Sequence, residues 1–384
     1  GTKVSIYYGD KVQTIETTNV RGMYSTSEDV LHFGLGEATQ VDLIEVVWPD
    51  GLMSRKKKIA ANQTFLFPKQ EFFMYDLNAP PPPLLEEVTV TLPYQHRENY
   101  FDDYRHQVLL PHKQSQNGPA AAVGDVNGDG LDDLYLGGSS GQAGELYLQT
   151  EAGSFSPSSA ETFRGGSLLE DVAAIFFEAD NDGDLDLYVV SGGNEFEAGS
   201  PFYQDRLYLN DGQGNFTVGN DRLPAFTSSG GCVSAADFDQ DGDLDLFVGG
   251  RLQPHDYPAP AASYLLRNDG GTFTDVTDEL APFLRKLGLV TAAEWTDLDN
   301  DGQLDIMVVG EWMPLTVLYQ RGDHFEPATD FTDASSPTTG WWFGLGKADL
   351  DGDGDDDFIF GNLGENYKYQ ASPAEPFEVF YDDF

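Results

Sequence analysis

Cysteine and histidine are both scarce in this sequence. Its 384 residues include one cysteine and six histidines. The single cysteine, Cys232, excludes a disulfide within the chain, and its apolar flanks are typical of a small buried residue. The histidines share no metal-ligand spacing, and the sequence has no Ser/His/Asp, Cys/His or HExxH arrangement. The common nucleophilic and zinc-dependent catalytic sets are therefore not indicated.

Long apolar runs are missing as well. No run approaches the ~18–20 apolar residues that a membrane-spanning helix needs. No signal peptide opens the sequence, which begins directly on a strand pattern and closes on Asp383-Phe384, the beginning of what resembles another acidic loop. We therefore expect a fragment of a longer chain, with the targeting signal or anchor outside it.

Basic residues are rare beyond residue 70. The formal net charge is −44, from 21 basic and 65 acidic side chains. Residues 1–70 carry eight of each sign, whereas residues 71–384 carry 13 basic and 57 acidic side chains. Such acidity argues against nucleic acid and anionic membranes as partners and favours bound cations. A highly soluble acidic surface is the alternative, but it does not explain why the acids repeat in register.

The acidic residues follow a fixed repeat, D-x-[DN]-x-D-G-x-x-D and then an apolar run. Five copies occur, with start-to-start spacings of 53, 59, 60 and 52 residues. A unit of this length with about four short strands matches one blade of a β-propeller, in which sheets bury their faces by stacking radially. The copies are DVNGDGLDD (125–133), EADNDGDLD (178–186), DFDQDGDLD (237–245), DLDNDGQLD (297–305) and DLDGDGDDD (349–357).

Each copy offers oxygen ligands at odd positions. Ca²⁺ takes six to eight oxygens in flexible geometry, whereas Mg²⁺ prefers a near-ideal octahedron. Oxygens at positions 1, 3, 5 and 9 can surround one ion, and glycine at position 6 permits the sharp turn. We expect about five Ca²⁺ ions; a solvated acidic turn is the alternative for any single copy. The expected ligands are Asp125, Asn127, Asp129 and Asp133; Glu178, Asp180, Asp182 and Asp186; Asp237, Asp239, Asp241 and Asp245; Asp297, Asp299, Asp301 and Asp305; and Asp349, Asp351, Asp353 and Asp357.

These copies resemble the FG-GAP or VCBS repeats of integrin-α-like β-propellers over residues 118–384. Residues 1–70 resemble an ASPIC/UnbV domain, as in proteins similar to the cartilage acidic protein family. The resemblance implies calcium in the loops, a ring of seven blades of which five to six are visible here, and a bacterial secreted, cell-surface or outer-membrane-associated protein. The residues that carry the second resemblance are YSTS (24–27), LHFGLG (31–36), VDLIEVVWPDG (41–51) and ANQ (61–63).

The patterns together predict an all-β chain. Strand alternation in residues 1–70 predicts a small β-sandwich-like domain. Residues 71–117, which contain Pro80–Pro83, predict a linker and the first strand of the repeats. Residues 118–384 predict the propeller, truncated at its C-terminus. The basic run Arg55–Lys58 indicates either an exposed strand face or a partner contact.

Candidate partner-binding residues lie in loops that follow the strand after each acidic loop. A strand of about six residues runs ~20 Å, so these loops lie at the opposite end of the blade. Arg251, His255, Tyr257, Trp312 and Lys368 combine aromatic faces with donors, which suits a glycan or a protein hot spot; packing between blades is the alternative. The favoured function is a non-catalytic adhesion or binding module for protein or carbohydrate outside the cell. A propeller-based polysaccharide lyase or hydrolase and a structural spacer remain alternatives.

Overall fold

The structure is a computed structural model of the chain. It describes residues 1–9, 11–17, 30–50, 52–67, 73–74, 92–151, 153–158, 161–329, 338–364, 367, 371–372 and 375–380. The chain divides into two compact units, Gly1–Thr89 and Val90–Phe384. The predicted domain boundaries at residues 70 and 117 stay predictions, and Tyr24–Ser27, Pro80–Pro83 and Lys368 lie outside the described residues.

The first unit is one antiparallel sheet in the order β2-β1-β3-β4-β5. Alternation places Ile6, Ile44 and Val46 in its core, whereas Arg55–Lys58 are exposed. The sequence predicts a sandwich-like domain, but the described residues of this unit form a single sheet, and side chains such as Phe33 and Trp48 pack on its apolar core. The strands are β1 (Lys3–Tyr8), β2 (Lys11–Glu16), β3 (Gln40–Val47), β4 (Leu52–Ala60) and β5 (Phe73–Met74).

The described residues of the second unit form four four-stranded antiparallel blades and the two inner strands of a fifth, so the predicted all-β propeller repeats are confirmed. Short helices Asp103–His106 (α1) and Thr277–Leu280 (α2) accompany them. The strands are β6 (Ala121–Gly124), β7 (Asp133–Leu136), β8 (Glu145–Glu151) and β9 (Ser154–Pro157); β10 (Glu170–Phe177), β11 (Asp186–Gly192), β12 (Arg206–Leu209) and β13 (Thr217–Val218); β14 (Ser229–Ala236), β15 (Asp245–Leu252), β16 (Tyr264–Asn268) and β17 (Phe273–Asp275); β18 (Leu289–Thr296), β19 (Asp305–Met313), β20 (Thr316–Gln320) and β21 (Phe325–Ala328); and β22 (Gly340–Ala348) and β23 (Asp357–Asn362).

The blades are arranged side by side through their first strands. Strands β6, β10, β14, β18 and β22 contact one another in chain order. Three apolar cores lie between consecutive blades instead of within them. Tyr135 of blade 1 packs with Leu187 of blade 2, Tyr188 of blade 2 packs with Leu246 of blade 3, and Phe238 of blade 3 stacks on Trp295 of blade 4. A blade therefore buries its sheet faces only when its neighbours are present.

Residues 92–117, termed the crossing segment, contact the far ends of the first four blades and Tyr367 beyond the fifth. Buried side chains anchor the segment, including Asp103 and Ser115, whose carboxylate and hydroxyl are hydrogen-bonded at 2.6 Å. The segment is thus part of the second unit's packing and not a free tether. Its contacts are Arg97 N to Gln142 Oε1 in blade 1 (2.8 Å), Asp103 Oδ1 from Asn194 Nδ2 after blade 2's second strand (2.9 Å), Gln107 Nε2 to Tyr257 O in blade 3 (3.1 Å), His112 Nε2 with Glu311 Oε1 in blade 4 (2.8 Å), and Pro111 O from Tyr367 Oη beyond blade 5.

Candidate metal loops and the opposite ends of the blades

Each acidic repeat forms the loop between the first and second strands of a blade. Position 6 is glycine in every copy, with φ from 85° at Gly130 to 101° at Gly242, as the sequence predicts. Position 4 also has positive φ in every copy, a requirement that sequence reasoning missed. The signal was present, because only glycine, asparagine and glutamine occupy that position, and the first two adopt this conformation most readily. These residues are Gly128, Asn181, Gln240, Asn300 and Gly352.

Backbone amides close each loop on its own carboxylates. The carboxylate at position 1 accepts the N–H of the position 6 glycine in all five copies. Glu178, the one departure from aspartate, makes this contact too, with Oε2 2.7 Å from Gly183 N. Its longer side chain therefore reaches the same place. The other pairs are Gly130 N to Asp125 (2.8 Å), Gly242 N to Asp237 (3.1 Å), Gly302 N to Asp297 (2.9 Å) and Gly354 N to Asp349 (3.2 Å).

Four of the five loops gather three carboxylates whose oxygens lie within 4.8 Å of one another. An oxygen-only set of this density repels itself strongly and fits a hard cation such as Ca²⁺. The first loop differs because position 3 is Asn127, which offers an amide oxygen. Arginines approach two loops, with Arg222 Nη1 3.1 Å from Asp180 and Arg321 Nη1 2.7 Å from Asp299. The gathered groups are Glu178, Asp180 and Asp186; Asp237, Asp239 and Asp241; Asp297, Asp299 and Asp305; and Asp349, Asp351 and Asp353.

The aspartate at position 9 also has a structural role, as an acceptor of backbone hydrogen bonds. In the first four blades it is buried, and each of its oxygens accepts a backbone N–H. In blade 3, Asp245 accepts from Phe238 N at 3.0 Å and from Asn268 N at 2.8 Å, which ties the loop to the end of the third strand. Burial raises the pKa of Asp245 to about 7, against the lowering effect of those two amides. The equivalent residues are Asp133, Asp186 and Asp305, whereas Asp357 is only partly buried.

An amide side chain at the end of the third strand links neighbouring blades. Asn268 of blade 3 donates its Nδ2 to Ala179 O in the acidic loop of blade 2 at 2.8 Å, and its Oδ1 accepts Gly271 N at 2.8 Å. Asn210 donates to Val126 O at 2.7 Å and Gln320 to Phe238 O at 3.1 Å, each in the preceding blade's loop. Sequence reasoning missed this role, although an amide recurs at that position.

We expect Asn268→Ala to lower the free energy of unfolding by about 2–4 kcal/mol, because buried groups in two blades lose their partner. Gln149→Ala is the matched control. Gln149 stands at the same position of blade 1, and its amide, oriented to donate to Asp132 O at 2.9 Å, stays within its own blade. Urea denaturation in calcium checks both variants. Equal losses for the two would contradict the interblade role.

At the opposite ends of the blades, the structure brings together three of the four described candidate partner-binding residues, Arg251, Tyr257 and Trp312, whereas the fourth, His255, packs on the crossing segment. Arg251 and Tyr257 are buried; Arg251 Nη1 lies 3.0 Å from Glu311 Oε2, and Trp312 Nε1 donates to Tyr257 Oη at 2.6 Å. Arg251 and Tyr257 are therefore packed in the interior, as in the alternative to partner binding that the sequence leaves open for them. His255 and Trp312 are partly buried and have positive φ, 60° and 59°.

The crossing segment completes this cluster, which sequence reasoning did not foresee. His106 stacks on His255 with ring centroids 4.5 Å apart, and His112 contacts the buried Glu311 carboxylate. Trp341 meets Trp312 edge to face at 5.1 Å. These partners are far apart in sequence, so no local pattern could indicate them.

Among the residues described, no helix is long and apolar enough to cross a membrane.

Comparison with known proteins agrees with both units. Residues 1–71 match the family model described as ASPIC and UnbV, and residues 125–189, 179–248 and 297–360 match the model described as an FG-GAP-like repeat. No curated protein matches the chain.

Solved structures give more distant similarities. The V. cholerae biofilm matrix protein Bap1 is 16% identical, with a TM-score of 0.34 over 63% of this chain and 34% of that chain. BBS1N, solved in complex with ARL6DN, is 15% identical, with a TM-score of 0.33 over 59% of this chain and 58% of that chain. The chain therefore spans less than two thirds of each of these structures.

Proposed function

Because the chain combines an ASPIC/UnbV domain with FG-GAP-like repeats, we propose that it is a calcium-stabilised, non-catalytic module that binds protein or carbohydrate outside the cell or at its surface. The acidic loops supply stability in this proposal. They would hold about five Ca²⁺ ions through carboxylate oxygens at positions 1, 3, 5 and 9, with Asn127 in place of a carboxylate in the first loop. The interblade cores and amide links then keep the blades in fixed register.

Recognition is proposed for the opposite ends of the blades. The observation that carries this is a set of exposed apolar side chains on the anchored crossing segment: Tyr100 is 97% exposed, Leu109 92% and Val108 77%. Holding such side chains in water on a fixed backbone has no use in the chain's own packing, and exposed apolar groups of this kind mark interaction sites.

Backbone strain at the same end supports the proposal. Apart from the loop residues at position 4, the described non-glycine residues of the second unit with positive φ are His255 and Trp312. A bulky residue in this region costs about 1–3 kcal/mol and persists where the surrounding structure holds it, often at binding sites. His255 stacks on His106 of the crossing segment, and Trp312 packs against the cluster that contains Leu110 of that segment. Both are among the residues that the sequence indicates as ligand contacts.

A glycan array and a pull-down of envelope proteins, both with purified chain in calcium, test the proposal. We expect selective binding that is lost in the double variant Tyr100→Ala/Leu109→Ala. Val218→Ala is the control, because Val218 is also an exposed apolar residue, at 57%, but lies on strand β13. The absence of any selective binding would support the spacer function, and turnover of an acidic polysaccharide would support the lyase or hydrolase; either outcome would overturn the proposal.

A further inference from the structure

The aspartates at position 9 are joined to one another by a continuous series of hydrogen bonds from blade 1 to blade 4. In blade 3, Asp245 accepts the backbone N–H of Asn268 at 2.8 Å. The side chain of Asn268 donates to Ala179 O at 2.8 Å. Ala179 N in turn donates to Asp186, the position 9 aspartate of blade 2, at 3.1 Å. Two residues therefore connect the position 9 carboxylates of neighbouring blades.

The same arrangement recurs on both sides of this pair. The bridging amide is Asn210 between blades 1 and 2, and Gln320 between blades 3 and 4. Each bridging residue binds the position 9 aspartate of its own blade through its backbone N–H, and binds position 2 of the preceding loop through its side chain. The contacts are Val126 N to Asp133 (3.1 Å), Asn210 Nδ2 to Val126 O (2.7 Å) and Asn210 N to Asp186 (2.8 Å); and Phe238 N to Asp245 (3.0 Å), Gln320 Nε2 to Phe238 O (3.1 Å) and Gln320 N to Asp305 (2.9 Å).

Every residue in this series is buried. The position 2 residues are at most 3% exposed, and the bridging amides are at most 8% exposed. Hydrogen bonds in an interior of low dielectric are stronger than bonds in water, and bonds in a chain polarise one another. Because each broken bond would leave a buried group without a partner, a change at one position 9 carboxylate affects the groups next to it in the series.

A second contact joins some of the same loops at the surface. Asn181, at position 4 of the blade 2 loop, donates to Asp243 in the blade 3 loop. Gln240, at position 4 of the blade 3 loop, donates to Gly302 O in the blade 4 loop at 2.8 Å. Position 4 of the first loop is Gly128, which has no side chain for this contact. The loops of blades 2, 3 and 4 are thus linked in two ways, one buried and one exposed.

We propose that calcium binding by neighbouring acidic loops is positively coupled through these links, so that occupancy of one loop raises the calcium affinity of the loops in the adjacent blades. This inference rests on the calcium binding proposed above. When ligation fixes a position 9 carboxylate, the bridging residue and the position 2 peptide group of the preceding loop are held with it. That peptide group stands between the ligands at positions 1 and 3. The preceding loop is therefore partly ordered in advance and loses less conformational entropy when it binds.

Repulsion between ions in adjacent loops acts against this coupling. The ligands at positions 3 and 5 of the blade 3 loop, Asp239 and Asp241, are exposed. In physiological salt, exposed charges are screened over about 8 Å, whereas buried groups are screened much less. Because the bridging hydrogen bonds are buried, we expect their effect to outweigh the repulsion.

Calcium titration of the full chain, followed by NMR with glycine-selective ¹⁵N labelling, measures each loop separately. The reporters are the position 6 glycine amides, which donate to the position 1 carboxylates. Asp241→Asn removes a ligand from the blade 3 loop and keeps an acceptor for Asp243 N. We expect it to raise the calcium midpoint at Gly183 in blade 2 and at Gly302 in blade 4 at least about fivefold. Gly130, two blades away, is the control and should change much less, since repeats interact mainly with their neighbours.

The variant Asn181→Gly/Asn268→Ala removes both links between the loops of blades 2 and 3. Glycine already occupies position 4 in blades 1 and 5 with positive φ, so it fits the backbone at residue 181. In this background, Asp241→Asn should no longer shift the midpoint at Gly183 but should still shift that at Gly302. A retained shift at Gly183 would contradict coupling through the links. The titration of Asp241→Asn alone decides the proposal even if this background does not fold.

The titration also separates failure of this inference from failure of the proposed function. Position 6 signals that respond to calcium in none of the loops would mean that the loops are solvated turns, and would overturn both. Signals that respond, with midpoints at Gly183 and Gly302 unchanged by Asp241→Asn, would overturn the coupling alone. An equal shift at Gly130 would also overturn it, because the effect would then not depend on links between adjacent blades.

Discussion

We expect chelation of calcium with EGTA to lower the midpoint of thermal unfolding of the second unit, followed in the full chain, by roughly 10 °C or more. A site saturated at about 100 times its Kd contributes ~2.7 kcal/mol, and for ~150–250 residues each kcal/mol shifts the midpoint by about 2–4 °C. Two occupied loops already suffice for the expected shift. The physical reason is the gathered carboxylates, which repel one another once the ion is removed.

Calorimetry on the same sample in calcium, in EGTA, and in EGTA followed by excess calcium measures the effect and its reversal. Magnesium in place of calcium is the matched control and should restore only a small part of the shift, because the loops lack an octahedral ligand set. A midpoint that is the same in all conditions would mean that the loops are solvated acidic turns.

Asp245→Ala should destabilise the chain even in EGTA, by at least about 2 kcal/mol, because two backbone N–H groups lose their acceptor. These are Phe238 N and Asn268 N, 3.0 and 2.8 Å from the Asp245 carboxylate, which is itself fully buried. Part of this loss is offset, because burial raises the pKa of the Asp245 carboxyl group and makes its charged form unfavourable in the metal-free chain. Urea denaturation at low temperature measures the free energy of unfolding.

Asp241→Ala in the same loop is the matched control. Asp241 is exposed, and its carboxylate accepts the N–H of the nearby Asp243 at 2.9 Å. Its removal should cost stability mainly in calcium, through loss of a ligand. Two variants that behave alike in EGTA would show that position 9 has no structural task separate from metal binding.

The repeat architecture could be predicted because its signals are local. The glycine at position 6 and the apolar strand after each loop are both readable within nine to fifteen residues, and the fold repeats them five times. Glu178, the one departure from aspartate at position 1, accepts the N–H of the position 6 glycine as the aspartates do. The identity of the ion and the full ligand sets stay predictions.

The opposite ends of the blades could not be predicted, because their contacts join distant residues. His112 meets Glu311, and Asp103 meets Asn194, through a segment that composition indicates as a linker. Proline and charged residues around this segment give it the composition of a linker, so its buried side chains cannot be recognised from the sequence. The local pattern marked Arg251 and Tyr257 as polar and aromatic, but only the tertiary contacts show that both are buried.

Diffraction from crystals grown in calcium, with anomalous differences recorded at long wavelength, tests the central claim most directly. We expect an anomalous peak in each of the five acidic loops, among the side chains at positions 1, 3, 5 and 9, and in none of them only the weaker density of a magnesium ion or a water molecule. Loops without anomalous peaks, in crystals that contain millimolar calcium, would contradict it.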